Sequence, residues 1–161
     1  MICQGLLALN NGCFFNLRRW CVCFNPEADK NVIWKALKDD LAILELMGLT
    51  GKTNLEIAKQ IIKRSTWDDM LTNEKRLCIY FRPSRLSRNE IITNEILQID
   101  CHVPAKQDYI ADRIISRIVK LLNNKNLNGA YLKFAGQLGE LPTLSGFYCA
   151  GVRFDYYNPF I

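Results

Sequence analysis

Between Glu95 and Tyr157 the hydrophobic period of the chain changes in a legible order: strand, helix, strand, long loop, strand. In ILQIDCHV, Leu97, Ile99, Cys101 and Val103 alternate with Gln98, Asp100 and His102, the period of two expected of a strand with one buried face. Pro104 ends it. From Gln107 to Leu122 the period becomes helical, with Ile110, Ile114, Ile118 and Leu121 on one stripe, Asp108 in the first turn and Lys120 in the last, as the helix dipole favours. The Asn/Gly-rich NNKNLNG stops this helix. AYLKFAG and GFYCAGVRFDYY predict two further strands, the second placing Tyr148, Ala150, Val152, Phe154 and Tyr156 on one face. GQLGELPTLSG, between them, is too long for a tight hairpin turn.

Upstream, Ile33, Leu37, Leu41 and Leu44 recur at helical spacing, with Asp29 or Asn31 as N-cap and Gly48 at the C-terminal stop. Thr53 and Glu56 have capping-box spacing and predict a second helix that carries Leu55, Ala58, Ile61 and Ile62 inward and ends near Ser65. RLCIYFR predicts a strand with Leu77, Ile79 and Phe81 on one face, closed by Pro83 and followed by the basic Arg82, Arg85 and Arg88 link. Residues 1–28 show no sustained period and read as an N-terminal arm or extension, which leaves 29–161 as one domain. Helices first, strands later and one helix between strands predict the α+β class: an antiparallel sheet of about four strands, covered on one side by helices.

The strand ending in IDCHVP, the helix DYIADRIISRIVKLL, the Asn/Gly turn and the closing hairpin AYLKFAGQLGELPTLSGFYCAGVRFDYY resemble the tail terminator (tail-completion, or minor capsid) proteins of long-tailed bacteriophages. The resemblance covers residues 31–157 as an order of elements. It implies a virion protein, assembled in the host cytoplasm, whose copies form a ring of usually six that caps the tail tube and joins it to the head connector. The implied partners are other copies of itself, the tail tube protein and the head-tail connector proteins. The resemblance carries no catalytic residue and no cofactor. A head-closure or neck protein of the same connector is the alternative within this class, and a small DNA-binding regulator is the alternative outside it.

Composition suits one globular domain: 161 residues, 49% hydrophobic and 23% charged. The formal net charge of +5 is modest, and acids and bases intermingle in KRSTWDDMLTNEKR, as on a solvated mixed-charge surface; an anionic-partner face is the competing reading. Of seven cysteines, Cys78, Cys101 and Cys149 fall in predicted strands as small buried hydrophobes, and Cys3, Cys13, Cys21 and Cys23 lack the paired spacing of a zinc site. No stretch is long and apolar enough to cross a bilayer, and GLLALNNGCFF lacks the basic segment of a secretory signal.

Three motifs invite chemistry and fail on geometry. GLTGKT has Leu46 where a phosphate-binding loop needs its first glycine. TNLEIAKQIIKRSTWDDML starts like a helix-turn-helix, yet Asp68 and Asp69 stand where a recognition helix needs basic or amide groups. His102, the only histidine, shares a strand face with Asp100 but has no nucleophile in a recognisable context, and reads as a surface residue at a subunit contact. The acid pairs Asp39/Asp40 and Asp68/Asp69 read as solvated. These readings predict no enzyme activity, no metal and no sequence-specific nucleic-acid binding. The candidate interface lies elsewhere. Alternation puts Phe147, Arg153 and Tyr157 on the face opposite Tyr148, and Leu138, Leu141 and Leu144 give the long loop an apolar side. These six residues are the expected contacts with a neighbour, against the alternative of a loop folded back on its own core.

Overall fold

The computed structural model of the protein describes residues 25–65, 73–86, 92–127 and 129–159. Helices α1 (Pro26–Lys38), α2 (Leu41–Met47) and α3 (Asn54–Gln60) come first, then strands β1 (Ile61–Ile62), β2 (Arg76–Leu86) and β3 (Ile92–Pro104). A 3-10 turn at Ala105–Gln107 leads into helix α4 (Asp108–Leu122), followed by β4 (Lys125–Leu127), β5 (Ala130–Glu140) and β6 (Phe147–Pro159). The six strands form one mixed sheet in the order β1-β2-β3-β6-β5-β4. The four long strands are antiparallel, as expected; β4 extends the sheet antiparallel and β1 parallel, so six strands replace the expected four or so.

The core lies between one face of this sheet and the helices. Leu77, Ile79, Leu97, Ile99, Cys101, Val103, Ala150, Val152, Phe154 and Tyr156 face it from the strands. Helix α4 answers with Ala111, Ile114, Ile115, Ile118 and Leu122, an amphipathic stripe laid against β3, β5 and β6. Each such isoleucine contributes about 1.5–3 kcal/mol when it leaves water. Ile33 and Leu37 of α1 and Ile43, Leu44 and Met47 of α2 extend the same cluster.

Several boundaries differ from the sequence reading, each for a local reason. The single helix expected through Leu44 is two helices, because Asp40 leaves the helical conformation and its carboxylate caps Ile43 N–H at 3.0 Å. Asn25, not Asp29 or Asn31, caps α1, accepting from Glu27 N–H and Ala28 N–H with Pro26 following, so the helix begins inside the segment read as an arm. Gly48 has the expected left-handed conformation (φ 74°), and the Thr53/Glu56 capping box forms as predicted. Helix α3 stops at Gln60, short of Ser65, because Ile61 and Ile62 pair with Leu77 and Cys78. Pro83 does not close β2; a register shift between Arg82 and Arg85 absorbs it. Residues 1–24, with Cys3, Cys13, Cys21 and Cys23, lie outside the described residues, as do Asp68, Asp69 and Arg88.

Asp40 also overturns its solvated reading, whereas Asp39 is 56% exposed as expected. Its carboxylate is 6% exposed and takes two bonds from Arg117 of α4, Nη2 at 2.7 Å and Nε at 3.1 Å, so one side chain caps α2 and ties it to α4. Arg117 holds this carboxyl below the usual range. The stabilisation is therefore complete above the unfolded-state pKa of about 4 and is lost as pH falls through the lowered folded value. Asp40→Asn should cost about 1–2 kcal/mol at neutral pH, the half-open Arg117 limiting the effect. Urea unfolding at a series of pH values should show the gap between variant and wild type closing below about pH 4.

Candidate functional site

The second face of the sheet, away from the helices, carries polar side chains in its middle. Pairing aligns Arg76, His102 and Cys149 in one row, Cys78, Asp100 and Gly151 in the next, and Tyr80, Gln98 and Arg153 in the third. Gln98, Asp100 and His102 are nonetheless buried. Burial of such groups is tolerable only when they are bonded. Asp100 accepts from Tyr80 Oη at 2.6 Å and Gln98 Nε2 at 2.8 Å; Gln98 Oε1 accepts from Arg82 Nη1 at 3.1 Å and Arg153 Nε at 3.2 Å. Burial of the ring hydroxyl, and then its bond to the Asp100 carboxylate, push the Tyr80 phenol up, so it stays a donor.

A flap roofs this network. Strand β5 continues to Glu140 through register shifts between Phe134 and Gly136 and between Gln137 and Glu140, so the true connection is only residues 141–146. Gly139 takes the left-handed conformation that the second shift requires (φ 64°). The flap is fastened by Leu141 N–H to Cys149 O at 2.8 Å, by Ala105 N–H to Gly146 O at 2.9 Å and by Thr143 Oγ1 against His102 Nδ1 at 2.9 Å. Its floor at Gly151 has no room for a side chain: a Cβ there would lie 2.5 Å from Asp100 Oδ1, 2.8 Å from Leu141 Cδ1 and 3.1 Å from Leu138 Cδ1. Flap and network enclose an open-sided cleft of about 510 Å³ lined by Tyr80, Asp100, His102, Thr143, Leu144 and Cys149.

His102 is not the surface residue its strand position suggests: it is buried beneath the flap. Its Nε2 lies 3.5 Å from Cys149 Sγ, a cysteine–histidine pair not visible in the sequence, where 47 residues separate the two. Burial pushes the thiol up to about 12, and burial with the Arg76 charge pushes the imidazole down to about 4. Both groups are thus neutral near pH 7, the reverse of an activated thiolate–imidazolium pair. In the neutral ring one nitrogen donates and the other accepts, and a hydroxyl and a thiol can serve either role.

The six expected contact residues lie in different settings. Leu138 and Leu141 are half-buried over Gly151, on their own sheet, as in the folded-back alternative. Leu144, 51% exposed, stands at the rim of the cleft. Phe147 and Arg153 occupy the second face as alternation predicts, Arg153 held by Gln98, and Tyr157 lies toward the far end of β6 with its hydroxyl on Asp155. Sequence reading missed Tyr80, Gln98, Cys149 and Gly151. The signal available was three polar residues at alternate positions of a central strand. Among the described residues, no helix is long and apolar enough to cross a membrane. No protein-family model matches the chain, and no curated protein matches it.

The unfolded chain takes up its histidine proton near 6.5, whereas folded His102 resists protonation until about pH 4. Stability should therefore be full above about 6.5 and fall across that window by up to about 3 kcal/mol. Unfolding curves of His102→Gln should lack this part of the pH dependence. Gly151→Ala should lower stability by about 1–3 kcal/mol through overpacking, and adding Leu141→Ala should recover part of that loss in a double-mutant cycle.

Proposed function

We propose that the protein is a structural subunit of a long-tailed phage virion, a tail terminator whose closed ring caps the tail tube and joins it to the head connector. The observation that carries this reading is a pair of unoccupied strand edges on opposite sides of the sheet. Strand β1 pairs only with Leu77 and Cys78 of β2, and β4 only with residues 130–132 of β5; among the described residues no other strand flanks the rest of either outer edge. Because β2, β3, β6 and β5 alternate in direction, β2 and β5 run opposite ways. Setting β5 of one copy beside β2 of the next would repeat the sheet's own antiparallel alternation. Such a head-to-tail contact is heterologous and closes into a ring if its rotation does. The bulges on both strands oppose indiscriminate pairing and favour a partner that matches their kinks.

The order of elements from α1 to β6 supports the same family. Leu144, Phe147, Arg153 and Tyr157 remain candidates for contact with the tube or connector. The DNA-binding regulator gains no support: the residues directly after α3 form β1, where a helix-turn-helix places its turn and second helix. Light scattering on the purified full chain, alone and with tail-tube subunits, should report a closed oligomer severalfold heavier than one chain. A strict monomer in both conditions would refute the ring.

A further inference from the structure

Asp40 and Asp100 are both buried, in different company. Asp40 faces the Arg117 guanidinium, the usual way to hold a carboxylate away from water. Asp100, 7% exposed, takes its bonds from two neutral groups, the Tyr80 hydroxyl at 2.6 Å and the Gln98 amide at 2.8 Å, and among the described residues no cation pairs with it. The arginines of this face are engaged with other groups: Arg82 and Arg153 donate to Gln98 Oε1, and Arg76 pairs with Glu74. A carboxylate offers about four lone-pair sites, so two bonds leave Asp100 with acceptor capacity. It lines the open-sided cleft beneath the flap.

The field of Asp100 reaches the walls of that cleft. Burial first, and then the Asp100 charge, push the Cys149 thiol up to about 12, and at Tyr80 the same charge outweighs the opposing Arg82 cation. At His102 the Arg76 cation acts instead, so the end of the cleft that attracts a positive group is the one between Asp100 and Tyr80. The Tyr80 hydroxyl gives its proton to Asp100 and keeps its oxygen as an acceptor, and Ser65 lines the cleft with a second hydroxyl. Leu141, Pro142 and Leu144 supply apolar lining from the flap. The volume of about 510 Å³ suits a small organic ligand. A metal ion fits less well, because among the described residues no three His, Cys, Asp or Glu side chains are grouped to hold one. An anion meets repulsion from the carboxylate. We propose that the cleft binds a primary ammonium carried on a short aliphatic chain, the ammonium on Asp100 and the chain beneath the flap leucines. The inference is independent of the ring reading.

The test is an NMR titration of the isotope-labelled full chain at fixed ionic strength with n-butylammonium, and with n-butanol and butyrate as neutral and anionic probes of the same length. Butylammonium should bind saturably and move the amide signals of residues 98–102 and 141–149, which carry the cleft. Its affinity should exceed that of butanol by about tenfold, because the ammonium adds charge to the hydrogen bond on a buried carboxylate. Asp100→Asn should remove that advantage. Leu144, 51% exposed at the rim, allows a check that leaves the buried network intact: Leu144→Lys should weaken butylammonium binding and Leu144→Glu should strengthen it. This pair decides the matter if circular dichroism shows that Asp100→Asn does not fold. Nα-acetyl-lysine methylamide carries the same ammonium within a peptide unit; binding equal to that of butylammonium extends the site to lysine side chains of a partner, weaker binding restricts it to free amines, and either upholds the ammonium site. Absence of saturable binding, butyrate binding at least as tightly as butylammonium, or equal effects of Leu144→Lys and Leu144→Glu would overturn the inference.

Discussion

The rest of the sheet hangs on the pairing of β3 with β6, which runs unbroken from Ile92 opposite Pro159 to Pro104 opposite Phe147. A ladder of that length without a bulge leaves no freedom of register, because a slip of one residue would exchange the two faces. One face therefore presents Leu97, Ile99, Cys101, Val152 and Phe154 to α4, and the other must carry Gln98, Asp100, His102 and Arg153. With β2 and β5 flanking this pair, the polar side chains sit in the middle of a broad sheet. The flap and the hydrogen-bond network follow from that position.

Asp100 is the centre of the second face. Its two oxygens are bonded by Tyr80 and Gln98, and its Oδ1 occupies the space a side chain at Gly151 would need. The flap can descend because Gly151 leaves room, and its leucines then shield the network from water. Shielding has an electrostatic result: the Cys149 thiol and His102 imidazole lie close together yet neutral, since burial opposes the charged form of each.

Placement of charge follows the same accounting of partners. Asp40 is buried and accepts from Ile43 N–H of α2 and from Nε and Nη2 of Arg117 of α4, so it acts as a rivet between α2 and α4. Lys30, Lys38 and Lys63 are held instead by a carbonyl, an amide oxygen and an indole face. Immobilising a lysine costs rotamer entropy.

Local interactions were readable from the chain itself. The alternation of 97–103 and of 148–156, the α4 stripe, the Thr53/Glu56 box and the Gly48 stop depend on neighbours within a few residues, so composition and period specify them. What lay beyond reading were decisions made by distant partners. Ile61 and Ile62 leave a helical pattern because Leu77 and Cys78 offer them a ladder, and Asp40 breaks a helix because Arg117, 77 residues later, is there to meet it. His102 looked solvent-facing because alternation assigns a side of the sheet but not what covers that side. The flap over it exists only once β6 has brought Gly151 and Cys149 beneath residues 138–143, a juxtaposition set by the ladder.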